Sequence, residues 1–197
     1  MNFSPQLPFD FSVSKDFTFS NFLTSNKNAE LVSLLEKFET YQEVVAFIWG
    51  KKGAGKSHIL QAICRATEEA GALQALYLPL QKIKIFGPEV FKSLHHMDLI
   101  CLDDFDCIVG EKEWEESLFE FFNRCREEGV KLLVSSENSP RGLNFDLQDL
   151  ASRMSWGVIY QLHELNDDEK MTALDLRAKE RHLPLSEEVM LYIYNRH

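Results

Sequence analysis

The 197-residue chain is predicted to be an α/β protein, a parallel sheet flanked by helices, on three observations. Short apolar runs alternate with stretches of helical periodicity up to about residue 165. A glycine-rich loop of phosphate-binding pattern lies between the first such run and the helix after it. A later run closes on two adjacent carboxylates, Asp103 and Asp104. Alternation of this kind favours parallel strands covered by helices on both faces.

Leu31, Leu34, Leu35 and Phe38 recur at i, i+3, i+4 and i+7, which predicts a helix from Ala29. Residues 44–49 form a buried strand, and Ile59, Leu60, Ile63 and Ala66 mark the next helix. Residues 73–80 read as a second strand. Pro88 suits the first turn of a short helix ending near His95. Residues 99–102 are a third strand. Trp114, Leu118, Phe121, Phe122 and Cys125 outline a helix that Gly129 would terminate. Residues 130–134 and 158–162 supply the fourth and fifth strands, with a short amphipathic helix between them leading to Arg153. After Leu165 the strands stop. Asn166 with Glu169 forms a capping box opening a helix to about Arg181, and Ser186 starts another. The expected divisions are an extended tail (1–15), an α/β nucleotide-binding domain (16–164) and a small helical annex (165–197).

Six of the fifteen Phe fall in residues 1–22, where Pro5 and Pro8 argue against a helix. With 21 Lys+Arg against 31 Asp+Glu, the net charge of −10 excludes a protein that coats DNA through clustered cations. Cys64, Cys101, Cys107 and Cys125 show no CxxC pair and read as small buried thiols in a reducing compartment. The N-terminus lacks a signal-peptide pattern and no stretch is long and apolar enough to span a membrane, so a cytosolic protein is expected.

Gly50-Lys51-Lys52-Gly53-Ala54-Gly55-Lys56-Ser57 matches G-x-x-x-x-G-K-[ST] in full and in the required strand-to-helix context. Its glycines let backbone N–H groups converge on an anion, and the helix N-terminus adds partial positive charge. Lys56 would bridge the β- and γ-phosphates, and the Ser57 hydroxyl would ligate Mg²⁺. Asp103 would hold the same ion through water or Ser57, and Asp104 would orient or deprotonate an attacking water. Found alone, such a pair is often a turn or helix cap. The implied ligand is ADP or ATP with Mg²⁺. Ser135 and Ser136, followed by Asn138, are placed to sense a γ-phosphate, with a plain strand exit before Pro140 as the alternative. Arg153 taken alone reads as a surface group.

Together these residues resemble the AAA+ domain of the bacterial replication initiator DnaA and its paralogues. The marks are Phe17-Thr18-Phe19-Ser20-Asn21-Phe22, the phosphate loop continued by His58, Leu102-Asp103-Asp104, Val134-Ser135-Ser136-Glu137-Asn138-Ser139-Pro140, and Ser152-Arg153-Met154-Ser155-Trp156-Gly157. The resemblance implies an AAA+ sheet with a C-terminal helical lid, and it places Asn21, Phe22 and His58 beside the nucleotide. Gln6-Leu7-Pro8-Phe9-Asp10-Phe11 is similar to the Gln-Leu-x-Leu-x-Leu peptide that docks on the polymerase sliding clamp. Gln6 would bond at a pocket rim while Leu7, Phe9 and Phe11 fill apolar pockets; a tail packed on its own domain or on a dimer mate is the alternative. A short DnaA-like domain with such a tail resembles the Hda-type regulatory inactivators of DnaA.

That resemblance implies an adaptor that binds nucleotide, docks on the clamp and stimulates ATP hydrolysis by DnaA, with Arg153 as a finger offered in trans. DNA would be reached only through the clamp, which would associate the protein with the nucleoid, and a homodimer is permitted. Lys56 and Asp104 are both retained, so intrinsic hydrolysis stays open. The family's sensor-2 arginine would lie beyond His197, which implies a shortened lid. The competing readings are a stand-alone AAA+ ATPase resembling a helicase loader and a factor that tethers the initiator to DNA.

Overall fold

The computed structural model describes residues 16–38, 44–71, 73–94 and 96–194. The elements run α1 (Ala29–Leu35), β1 (Val45–Trp49), α2 (Lys56–Glu69), β2 (Ala75–Pro79), α3 (Leu80–Ile83), β3 (Leu99–Asp103), α4 (Lys112–Glu128), β4 (Lys131–Ser136), α5 (Gln148–Met154), β5 (Val158–Gln161), α6 (Asp167–Glu180) and α7 (Glu187–Tyr194). The five strands form one sheet in the order β2-β3-β4-β1-β5, and every pairing is parallel.

Both faces of the sheet are covered, which is why its strands are continuous apolar runs rather than alternating ones. Along β1 the side chains divide with the pleat. Val45 and Phe47 join one core with Leu102, Phe121, Phe122 and Val134, against α4. Ala46 and Ile48 join the other with Leu35, Ile59, Leu60 and Cys101, against α1 and α2.

Several boundaries differ from expectation. The run from residue 73 is a strand only to Pro79, because its last apolar residue, Leu80, begins α3 and a 3-10 turn follows over Lys84–Phe86. The segment opened by Pro88 is a 3-10 turn ending at Ser93 rather than an α-helix. β4 runs two residues past its apolar stretch because Ser135 and Ser136 stay in register with Ile48 and Trp49 of β1. Gly129 closes α4 in the left-handed conformation, and the capping box at Asn166 is present with both of its bonds. Cys64, Cys101 and Cys125 are buried free thiols. Cys107 is only half-buried, since it lies in the 3-10 turn after Asp104 and not in a strand. Among the described residues, no helix is long and apolar enough to cross a membrane.

Gly157 holds β5 against β1: a Cβ there would lie 2.0 Å from the Val45 carbonyl oxygen. That clash is with backbone, so relief requires the sheet edge to shift. Gly157→Ala is expected to cost about 3 kcal/mol, lowering Tm by about 6–12 °C in a chain of this size. A thermal melt within about 2 °C of the unsubstituted protein would show that the edge is pliable.

Candidate nucleotide-binding site

The phosphate loop leaves β1 at the carboxyl end of the sheet, where ligands of open α/β folds sit. Gly50 N–H donates to Ser136 O at 3.1 Å, which ties the start of the loop to the end of β4. Gly55, with φ of 103°, caps α2, and a Cβ there would lie 3.0 Å from the Phe22 ring. Only glycine combines that backbone with that contact. Lys56 is 8% exposed, and its ammonium donates to Gly50 O at 2.7 Å and Lys51 O at 3.0 Å. An ammonium has three protons, so one remains for a phosphate oxygen. Lys51 pairs with Glu164 at 3.0 Å, on the way to the helical annex.

Two cavities meet at the loop and share Lys52, Gly53, Gly55 and His58. One, of about 640 Å³, is walled by Asn21, Phe22, Leu23, Ala54, Lys170 and Arg177 among others. The other, of about 610 Å³, is walled by Lys56, Ser57, Gln81, Asp104, Asp106 and Glu137 among others. Expected residues from the loop, the entry segment and the acidic strand are therefore brought together.

On the acidic side the two aspartates differ. Asp103 is 1% exposed; its Oδ2 accepts from the Tyr77 hydroxyl at 2.6 Å, and its Oδ1 accepts from the Ser135 hydroxyl. Register explains the first bond: Tyr77 pairs with Cys101, so it shares a sheet face with Asp103 two residues on. Burial, and then the Asp103 carboxylate, push the Tyr77 phenol up against the lowering effect of the Ser57 hydroxyl, so it stays a donor. Asp104 has φ of 57°, a left-handed conformation that is uncommon outside glycine but several-fold enriched in aspartate, and it lines the second cavity. Burial and the neighbouring Asp103 raise its carboxyl above the ordinary range, against the lowering effect of Lys56.

A hard divalent cation fits oxygen donors lining this cavity, among them the Ser57 hydroxyl and the Asp104 carboxylate, whereas Asp106 accepts from the Ser136 hydroxyl and Glu137 N–H. Asp103, expected to act through water or Ser57, stands behind Tyr77, its two oxygens accepting from the Tyr77 and Ser135 hydroxyls. The two serines expected at a γ-phosphate also line neither cavity. The Ser135 hydroxyl serves Asp103 and accepts from Asp104 N–H at 3.3 Å. The Ser136 hydroxyl donates to Asp106 Oδ1 at 2.8 Å, and Asp106 also accepts from Glu137 N–H at 2.7 Å. Both serines lie inside β4 rather than beyond it, and they brace the acidic turn. Cys107 borders the cavity too, but burial raises its thiol to about 11, so it carries no thiolate at neutral pH.

On the other side, His58 joins three elements. A carbonyl only accepts, so the bond to Thr18 O at 2.9 Å requires Nε2–H. Nδ1 is then the lone pair that accepts from Arg177 Nη2 of α6 at 2.8 Å. Phe17 and Phe22 pack on the imidazole, with ring centroids 4.9 and 5.0 Å away. Asn21 donates to Glu180 Oε2 at 2.8 Å and to Asp16 O at 2.9 Å, and its Oδ1 accepts from Thr18 N–H at 3.0 Å. Its amide thus fastens the entry segment to α6. Arg177 was not among the expected site residues. The available signal was the stripe Lys170, Ala173 and Arg177, spaced as one helix face, and all three line the first cavity.

Burial, with the Arg177 charge, lowers the His58 pKa below 6.5, against the raising effects of the Thr18 bond and Glu180. The neutral ring therefore contributes stability in full above about pH 6.5, and this is lost as pH falls towards the depressed folded value. Tm is expected to drop as pH falls below about 6.5, with a shallower slope in His58→Gln. Identical slopes would remove His58 from the acid response.

Arg153, at the end of α5, lines neither cavity. Its guanidinium carbon lies 4.2 Å from the Trp156 ring centroid, 5.5 Å from that of Phe119 and 5.8 Å from that of Phe122. Its Nη1 is buried without a hydrogen-bond partner. Gln6, Leu7, Phe9 and Phe11 lie outside the described residues.

Comparison with known proteins agrees with this geometry. The model of the bacterial DnaA ATPase domain matches residues 13–161. Domain III of the Thermotoga maritima replication initiation protein DnaA superposes with a TM-score of 0.80 at 22% identity, covering 92% of this chain and 81% of that one. AMPPCP-bound DnaA from Aquifex aeolicus superposes with a TM-score of 0.73 at 23% identity over 94% of this chain. The present chain spans 62% of that DnaA. A primosome component from Streptococcus pyogenes is more distant, with a TM-score of 0.62 at 16% identity, covering 76% of this chain and 87% of that one. With three quarters of its length matched by one family model and its phosphate loop and acidic strand meeting at one crevice, the chain belongs to the bacterial DnaA ATPase-domain family.

Proposed function

We propose that this chain is a regulatory adaptor of replication initiation, acting on DnaA rather than as an initiator itself. It binds ADP or ATP across the two cavities, with the base on the Phe22 and Arg177 side and the phosphates at Lys56. Mg²⁺, when bound at Ser57 and Asp104, neutralises phosphate charge. Gln6, Leu7, Phe9 and Phe11 dock on the sliding clamp, which brings the protein to DNA in the nucleoid without a basic surface of its own. Arg153 then reaches the nucleotide of a neighbouring DnaA and promotes hydrolysis to the ADP form.

The observation that carries this reading is the position of Arg153. It lies outside both cavities of its own nucleotide site, yet it holds a buried nitrogen with no partner. Nη1 is enclosed beside the Phe119, Phe122 and Trp156 rings, so it is the other N–H groups of the guanidinium that would meet a phosphate oxygen of a second subunit.

A second reading, a stand-alone ATPase of helicase-loader type, draws on Asp104 lining the same cavity as Lys56 and Ser57. Two assays separate them. Immobilised sliding clamp is expected to capture the full chain and to lose it when Gln6, Leu7 and Phe9 are replaced together by Ala. Capture that survives the triple change would return the tail to a packing role. Appreciable ATP turnover by the isolated chain would favour the motor.

A further inference from the structure

Trp156 is 57% exposed, an unusual cost for the largest aromatic side chain when nothing requires it at the surface. Its face is used within the chain. The Arg153 guanidinium carbon lies over it, 4.2 Å from the centroid and nearer than to the Phe119 or Phe122 ring, and Arg126 of α4 approaches the same ring at 5.4 Å. Indole offers a cation the strongest ring quadrupole of the aromatic side chains.

The backbone beneath the ring is also fixed. The Trp156 backbone N–H donates to Arg153 O at 3.1 Å, closing the turn after α5. The next residue, Gly157, abuts the Val45 carbonyl so closely that no Cβ fits. Trp156 therefore stands between a helix end and a sheet edge, with little freedom to drift. The Arg153 guanidinium lies over it with Nη1 buried and without a partner, which leaves its other N–H groups to meet an anion. A planar fork can be stacked and still present its N–H groups; an ammonium cannot do both. Ordering the guanidinium in advance removes part of the entropy lost when it meets an anion.

We propose that Trp156 is a positioning residue for Arg153, holding the guanidinium in the orientation in which it reaches the phosphates of a partner's nucleotide. This rests on the adaptor reading above. Trp156 itself touches no substrate; its effect passes through the arginine.

The test is ATP hydrolysis by DnaA with DNA-loaded clamp, titrated with the unsubstituted chain, Trp156→Leu, Trp156→Phe and Arg153→Ala. Leucine keeps apolar bulk but removes the ring face, whereas phenylalanine keeps a face. Trp156→Leu is expected to lower the maximal stimulated rate about tenfold, with the half-maximal concentration moving less than about twofold. Trp156→Phe is expected to recover most of the rate. Nucleotide affinity and Tm should be unchanged, because the ring is at the surface. A merely structural role would shift Tm or the half-maximal concentration instead. Leu and Phe variants that behave alike, or a Leu variant with full rate, overturn the proposal. Arg153→Ala separates the two layers: if it too keeps full stimulation, the assignment of Arg153 as the finger falls with the positioning role, whereas loss only in Arg153→Ala removes Trp156 alone. A readout free of DnaA is the Arg153 Nε–H resonance of the isolated chain. It is expected to be ring-current shifted and to lose that shift in Trp156→Leu; an unmoved resonance would mean the stack does not exist in solution.

Discussion

Arg153→Ala is expected to reduce the hydrolysis of ATP by DnaA that this chain stimulates by on the order of 10³-fold, while its own nucleotide affinity stays within about twofold. The asymmetry follows from where the side chain sits. Arg153 contributes to neither cavity beside Lys56, so its loss leaves the loop, Ser57 and Asp104 untouched. Its guanidinium is packed on Trp156, Phe119 and Phe122 with Nη1 unsatisfied, so truncation also removes an uncompensated buried donor and should not unfold the domain. Phosphate release from DnaA, alongside ADP titration of the variant chain, checks both halves. Stimulation that survives the change would mean that some other group reaches the partner's phosphates.

The second large effect concerns the chain's own ligand. Lys56→Ala is expected to weaken nucleotide binding by about a hundredfold, since hydrogen bonds involving a charged group contribute about 1.5–3 kcal/mol each. Two consequences combine. The phosphate loses its cation, and Gly50 O and Lys51 O lose the ammonium that draws the two ends of the loop together. Lys56→Arg should not recover the affinity, because a planar fork does not fit the place of a compact ammonium held by two carbonyls. Asp104→Asn, by contrast, keeps the shape of the acidic turn and should bind ADP within a few-fold of the unsubstituted chain. Equilibrium titration with a fluorescent ADP derivative distinguishes these outcomes. Undiminished binding by Lys56→Ala would detach the loop from the ligand.

What could be read from the sequence was whatever the chemistry needs in contiguous residues. The loop from Gly50 to Ser57 and the pair Asp103-Asp104 are legible because a phosphate nest and an acidic strand end are each built from neighbours in the chain. The capping box at Asn166 and the stop at Gly129 are local in the same way. Groups that reach the site across the fold were not legible. Tyr77 meets Asp103 from 26 residues away and Arg177 meets His58 from 119; neither has a local pattern that marks its target. The partners of Ser135 and Ser136 were not legible for a related reason. Their apolar run ends at Val134, but the ladder to β1 continues through both serines, and pairing of that kind depends on a strand some 90 residues earlier. The serines bond the carboxylates of the acidic turn, and Asp104 lines the cavity with Asp103 behind it.

The acidic net charge fits the same division of labour. A chain of −10 gains little from approaching DNA directly, so under the proposed reading an adaptor of this kind would take its place from partners and its effect from one arginine. The most direct test is phosphate release from ATP-loaded DnaA, measured with this chain alone, with clamp on DNA alone, and with both. Acceleration that needs both together, and that vanishes with Arg153→Ala, is the expected outcome. If the combination releases phosphate no faster than DnaA by itself, this chain is not an adaptor for that hydrolysis.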